Sequence, residues 1–169
     1  MTELPTHAII IVCSNVSYDF HHSLPSRIAS AGRPDVQVID CPVPDETKRA
    51  AKEPCTIIAA GPKDALDRAD LLLRTMAEKL YIVPGGGGAA SKVNMINQLL
   101  VGIHIAAAAE AMAMAVKAGL NMHEVYGIIA NAAGGSWAFS DRVSRLLDND
   151  RTTYSTLDTL AKDLVRFSG

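Results

Sequence analysis

Two periodicities divide the chain. Before Gly85, short apolar runs alternate with stretches of helical period; after Ser91 every apolar stripe is helical. Residues 8–14 (AIIIVCS), 36–43 (VQVIDCPV), 55–60 (CTIIAA) and 80–83 (LYIV) carry no helical stripe. They read as strands buried on both faces. Between them, residues 18–31 hold a helix, placed after Leu24 with Pro25 at its start and Gly32 at its stop. Residues 45–52 are polar, a loop or one exposed turn. Residues 63–79 set Ala65, Leu66, Ala69, Leu72, Leu73 and Met76 at helical spacing. Three more helices follow the glycines at 122–133, 137–148 and 157–167. Their stripes run through Val125, Ile128 and Ile129, then Phe139, Val143 and Leu146, then Leu160, Leu164 and Phe167.

The longest element lies between these halves. Ser91 offers a helix cap, Gly119 and Asn121 offer a stop, and no proline intervenes. About thirty residues at 1.5 Å rise give a helix roughly 45 Å long. Its middle, IAAAAEAMAMAVKA, is small and apolar on nearly every face, so other elements or another subunit must enclose it. Lys92, Asn94, Asn97, Gln98 and His104 crowd its first half, which assigns packing to one end and chemistry to the other. The expected division is residues 1–84, a small sheet with flanking helices, and residues 85–169, all helix. Pockets form at such seams.

Composition narrows the function. The 169 residues are 49% hydrophobic and 20% charged, enough for a real core. A net charge of −2 leaves no electrostatic footprint for nucleic acid or an anionic membrane. Cys13, Cys41 and Cys55 sit singly in apolar runs and read as reduced thiols of a cytoplasmic protein. The start, with Glu3 and no basic region, does not read as a signal peptide. His104, Glu110 and Lys117 argue against a membrane span in the long helix. The five histidines show no metal-ligand spacing, so no metal is expected. Cys13-Ser14 lacks a G-x-S-x-G elbow. His104 lies seven residues beyond Asn97, on roughly the same helix face. It is a candidate general acid or base, although a histidine satisfied inside a helical core is the simpler account.

The runs VIDCPV, CTIIAAG, KLYIVPGGGGAASKVNMINQLLVGIHIAAAAEAM, NAAGGSWAF and LAKDL, in this order, are more specific. They resemble the β-hydroxyacid dehydrogenases, the relatives of 3-hydroxyisobutyrate and 6-phosphogluconate dehydrogenases, and within them the L-threonate dehydrogenase branch. The resemblance spans nearly the whole chain. It implies an N-terminal Rossmann-like domain for NAD or NADP, a long interdomain helix, an all-helical domain and an active site between the domains. It implies further that Asn97 lies in the substrate site, that Ser136 and Trp137 close over it, and that Lys162 reaches the cofactor region.

The chain departs from that pattern at three places. It carries no G-x-G-x-x-G between strand and helix and no acidic ribose partner after one. Asn94 stands where the family places lysine, three residues before Asn97-Gln98. Lys92 lies two residues earlier, about 200° around the helix. Pro44-Asp45-Glu46 replaces the family's Ser-Gly-Gly, whose amides approach a substrate carboxylate. The expectation is therefore a truncated relative, a homodimer or larger, with no cofactor bound by the chain alone. Asn97, His104 and Lys92 are its candidate catalytic residues, and Asn94, Asn97, Gln98, Ser136, Trp137 and Lys162 its candidate ligand contacts. The pocket would serve cofactor-free proton transfer, isomerisation or cyclisation of a carbonyl compound, or small-molecule binding. The rivals are an NAD(P)-dependent oxidoreductase of a small 3-hydroxy acid, as a fragment or with a partner chain, and an assembly module.

Overall fold

The computed structural model describes residues 4–43 and 56–149. The order is β1 (Ile9–Val12), α1 (Tyr18–Ser30), β2 (Gln37–Asp40), β3 (Thr56–Ala59), α2 (Lys63–Met76), β4 (Lys79–Ile82), α3 (Ala89–Lys117), α4 (Met122–Ile129) and α5 (Trp137–Leu147). This is the expected class, a small parallel sheet with flanking helices followed by helix alone. The described residues form two compact units, one running through Ile96 and one starting at Asn97.

In the first unit β1 pairs parallel with β2, and β3 parallel with β4. The two pairs meet at one antiparallel bridge, Asp40 to Ala60. Strand alternation explains why β2 is buried on both faces beyond Gln37. Val36 and Val38 pack with Ile28 and Leu24 of α1, whereas Ile39 and Cys41 point the other way. They join Ile57, Ala59 and the Ala65, Ala69 and Leu73 stripe of α2. Asp40 shares the parity of Val36 and Val38, so it faces α1. Arg33 forks onto Asp35 and reaches the carbonyls of Leu4 and Pro5, tying down the entry to β1.

Several boundaries differ from the sequence expectation. α1 begins at Tyr18 rather than after Leu24, because the Ser17 side chain accepts the Phe20 N–H. Pro25 therefore sits inside the helix, with no N–H to return to the His21 carbonyl. α2 stops at Met76, where extended Ala77 buries its methyl beneath β4 and the strand starts at Lys79. β1 ends at Val12, before Ser14. α4 stops at Ile129 and α5 at Leu147. The polar stretch at 45–52 and the helix expected at 157–167 lie outside the described residues.

In the second unit, the part of α3 from Asn97 onward packs with α4 and α5. Ala108 and Met112 form its buried stripe against Phe139 and Val143. Gly119 (φ +70°) ends α3, as the sequence signalled, and Leu120 N–H returns to the Ala115 carbonyl. Asn121 turns out to cap α4, accepting from His123 and Glu124. Leu99, Leu100, Ile103 and Met114 are exposed along α3. By length and composition this helix is apolar enough to cross a bilayer, a test that the core helix of a soluble protein also passes.

Candidate functional site

A buried polar cluster in the first unit, centred on Asp40, was not legible as a site. Asp40 ends β2 with its backbone in a reciprocal bridge to Ala60, 2.8 Å in each direction. Its side chain is fully buried and faces α1 and the start of α3. Oδ2 accepts the Ser91 N–H at 2.9 Å and Oδ1 the Ser91 hydroxyl at 2.7 Å. Ser91 is thus not the cap expected of it. It lies inside the first turn of a helix that starts at Ala89, and an aspartate from the sheet end supplies the acceptor.

His21, buried on α1, completes the cluster. Its Nε2 stands 3.1 Å from Asp40 Oδ1, but the approach is not aligned as a hydrogen bond. Among the described residues neither ring nitrogen has a hydrogen-bond partner. Burial pushes the imidazole below its ordinary pKa of 6.5, and the nearby Asp40 carboxylate opposes that shift. His21 is therefore neutral at neutral pH. Although serine, histidine and aspartate meet here, the aspartate lies between the other two and the serine hydroxyl is spent on it. No nucleophile results.

The sign of the pH effect follows. The unfolded chain takes up a proton near pH 6.5 while the folded chain takes it up lower, so the unfolded state binds more protons between those values. Stability is fully present above pH 6.5 and falls as the pH drops through that window. Urea midpoints measured at pH 7.5 and 5.5 are expected to fall in the wild type, and to fall less in His21→Gln. Equal slopes would show that His21 does not carry the effect.

Around this cluster the chain turns through Gly85–Gly88. Gly88 (φ +89°) lies so close to Tyr18 that an added Cβ would stand 2.6 Å from the ring. Tyr18 stacks on His22, with ring centroids 5.6 Å apart. Lys92 Nζ sits 3.7 Å from the Tyr18 centroid, a cation–π contact. The expected catalytic lysine is thus held on an aromatic face. Two residues on, Asn94 is buried at 4% exposure.

The remaining described candidates lie on α3 and at the start of α5. Asn97 and His104 are exposed on α3 and Gln98 is half-buried. Ser136 caps α5, accepting the Phe139 N–H at 3.0 Å, and Trp137 is 48% exposed. Lys162 and the Pro44-Asp45-Glu46 substitution lie outside the described residues. Within the second unit, Ile105, Ala108, Met112, Val116, Met122 and Leu146 line an apolar groove of about 450 Å³. Among the described residues no cluster of His, Cys, Asp or Glu has the form of a metal site.

The glycine turn leads directly into α3. The helix it opens already gives its Ser91 N–H to Asp40 and its Lys92 N–H to the Gly88 carbonyl, so those amides cannot cradle a pyrophosphate. The cluster was missed in sequence because its members lie on three elements. The signal available was a lone aspartate ending an otherwise apolar strand.

Comparison with known proteins gives a consistent picture. A family model described as the NAD binding domain of 6-phosphogluconate dehydrogenase matches residues 1–85. One described as NAD-binding of NADP-dependent 3-hydroxyisobutyrate dehydrogenase matches residues 88–167. L-threonate dehydrogenase of Cupriavidus necator is 39% identical over 156 residues, 92% of this chain and 52% of the relative. The Escherichia coli K12 enzyme of the same description is 40% identical over 130 residues, 77% and 43% of the two chains. The crystal structure of a 3-hydroxyisobutyrate dehydrogenase from Salmonella typhimurium superposes with a TM-score of 0.84 at 33% identity. It covers 96% of this chain and 56% of its own. The chain spans about half the length of the curated relatives it matches.

Proposed function

The chain belongs to the β-hydroxyacid dehydrogenase family, and from that membership we propose that it binds a small hydroxy- or oxo-carboxylic acid of the threonate class without transferring hydride by itself. The observation that carries this reading is Asn94. It is buried where the family places its lysine, while Lys92 is engaged by the Tyr18 ring. A neutral amide can orient a carboxylate or carbonyl but cannot exchange a proton as an amine does. On this reading Asn94, Asn97 and Gln98 bind ligand. His104 is the group left to move a proton in a cofactor-free isomerisation or cyclisation, and Ser136, Trp137 and Lys162 are further contacts carried by the resemblance. The protein acts in the cytoplasm as a homodimer, whose second copy covers the exposed Leu99, Leu100 and Ile103.

A second reading has its own support in the 39% identity with an L-threonate dehydrogenase over 92% of this chain. In it the chain serves an NAD(P)-dependent oxidoreductase whose nucleotide-binding part is supplied from elsewhere. A third keeps the exposed apolar face of α3 and assigns the chain to assembly alone. Calorimetric titration with L-threonate, beside fluorescence titration with NADH and NADPH, separates the three. The expected result is binding of the acid, weakened roughly tenfold by Asn94→Ala, the size of one lost polar contact. No dinucleotide binding at micromolar concentration is expected. Micromolar NADPH binding would overturn the first reading in favour of the second, and no binding of any kind would leave assembly.

A further inference from the structure

We propose that Asp40 is a positioning residue, an internal cap lent by the sheet to α3, which fixes where that helix begins and so the face on which Asn94 is presented. Its functional consequence rests on the ligand reading above; the positioning itself does not.

The start of α3 needs such a cap. Gly88, Ala89 and Ala90 bring no side-chain acceptor to the first turn, where helical N–H groups are left over. Asp40 takes the Ser91 N–H on one oxygen and the Ser91 hydroxyl on the other, so a single carboxylate holds one residue at two points. Two bonds from one residue fix the rotation of the helix as well as its position. Its negative charge also suits the positive end of a 29-residue helix.

Asp40 is itself held at both its main chain and its side chain. Its main chain is bound in both directions to Ala60, and its side chain is fully buried. Asn94 follows Ser91 by three residues, on the same helix face, and both are buried. Moving the Asp40–Ser91 contact would rotate Asn94 with it. Among the described residues, the titratable and charged groups around the cluster are Asp40 on β2, Lys92 on α3, and Tyr18 and His22 on α1 beside His21. His21 stands 3.1 Å from Oδ1 and so senses the charge of the carboxylate directly.

The test uses the full chain and needs no ligand. The His21 ring is titrated by NMR, and amide hydrogen exchange is followed at residues 91–94, in wild type, Asp40→Asn and Ser91→Ala. Asp40→Asn keeps the shape but removes the charge that favours the imidazolium. His21 should then titrate at lower pH. Exchange at residues 91–94 should accelerate roughly tenfold or more, as expected for a lost charge-assisted bond. Ser91→Ala keeps the carboxylate charge and is the second measurement should Asp40→Asn not fold. It should speed exchange at residues 91–94 relative to residues 108–115. Unchanged His21 titration with unchanged exchange in Asp40→Asn, or unchanged exchange in Ser91→Ala where it alone folds, overturns the proposal. L-threonate binding by the wild-type chain is scored separately: its absence, with these signals intact, sinks only the ligand reading.

Discussion

Gly88→Ala is expected to destabilise the first unit by about 2–5 kcal/mol. Two costs add at this residue. A left-handed backbone costs an alanine roughly 1–2 kcal/mol, and the φ of +89° lies in that region. The added methyl would also stand 2.6 Å from Tyr18 Cδ2 and 3.0 Å from Cε2, an overlap worth about 1–3 kcal/mol to relieve. Tyr18 cannot turn aside without giving up His22 on one contact and Lys92 on the other. Gly86→Ala is the control: its φ is +75° but nothing lies within 4 Å of the new atom, so it should cost only the backbone part. Urea denaturation followed by circular dichroism measures both. Equal losses in the two variants would show that the ring contact does not matter.

Phe139→Ala should have a comparable effect in the second unit, about 3–5 kcal/mol. Phe139 is 3% exposed and joins Ala108, Met112 and Val143 in a single small cluster. Its ring stacks on Tyr126 with centroids 6.0 Å apart, and the Tyr126 hydroxyl donates to the Ser140 carbonyl at 3.2 Å. Truncation would open a cavity and also release that second ring. Trp137 is the one tryptophan of the chain and lies two residues away, so its fluorescence reports this unit. A loss below about 1 kcal/mol would mean that the cluster collapses around the gap, as a poorly filled core does.

How much of this was readable in advance depended on the distance over which each decision is made. α2 and α5 were legible because their apolar residues repeat every three or four positions, and the stop at Gly119 because a helix end is a local event. The start of α1 was misplaced for an equally local reason. Pro25 suits a first helical position, but Ser17 offered a real acceptor eight residues earlier, and the helix runs through the proline despite the lost bond and the crowding of the His21 carbonyl. Ser91 misled differently. Its hydroxyl looked like a cap because Asp40, 51 residues back, gave no sign of reaching it. His21 was invisible for the same reason: a lone histidine on a helix acquires meaning only from what the fold sets opposite. Asn94, Asn97 and Gln98 were easier to assign to an element, since all three lie on the long α3. Their surroundings depend on tertiary packing and were not in the pattern.

The bridge between Asp40 and Ala60 also bears on the order in which the first unit assembles. Joining Asp40 directly to Ser91 in an unfolded chain means closing a loop across 51 residues. If the bridge and the β3–β4 pair form first, Ala59 already lies beside Ile82, and the link still open to Ser91 is about nine residues. Loop closure grows with the logarithm of length, so the later route saves about 1.5 kcal/mol of closure entropy. The sheet then zips before the helix is anchored. On that route the carboxylate contact closes after the sheet has paired, as a late step of folding.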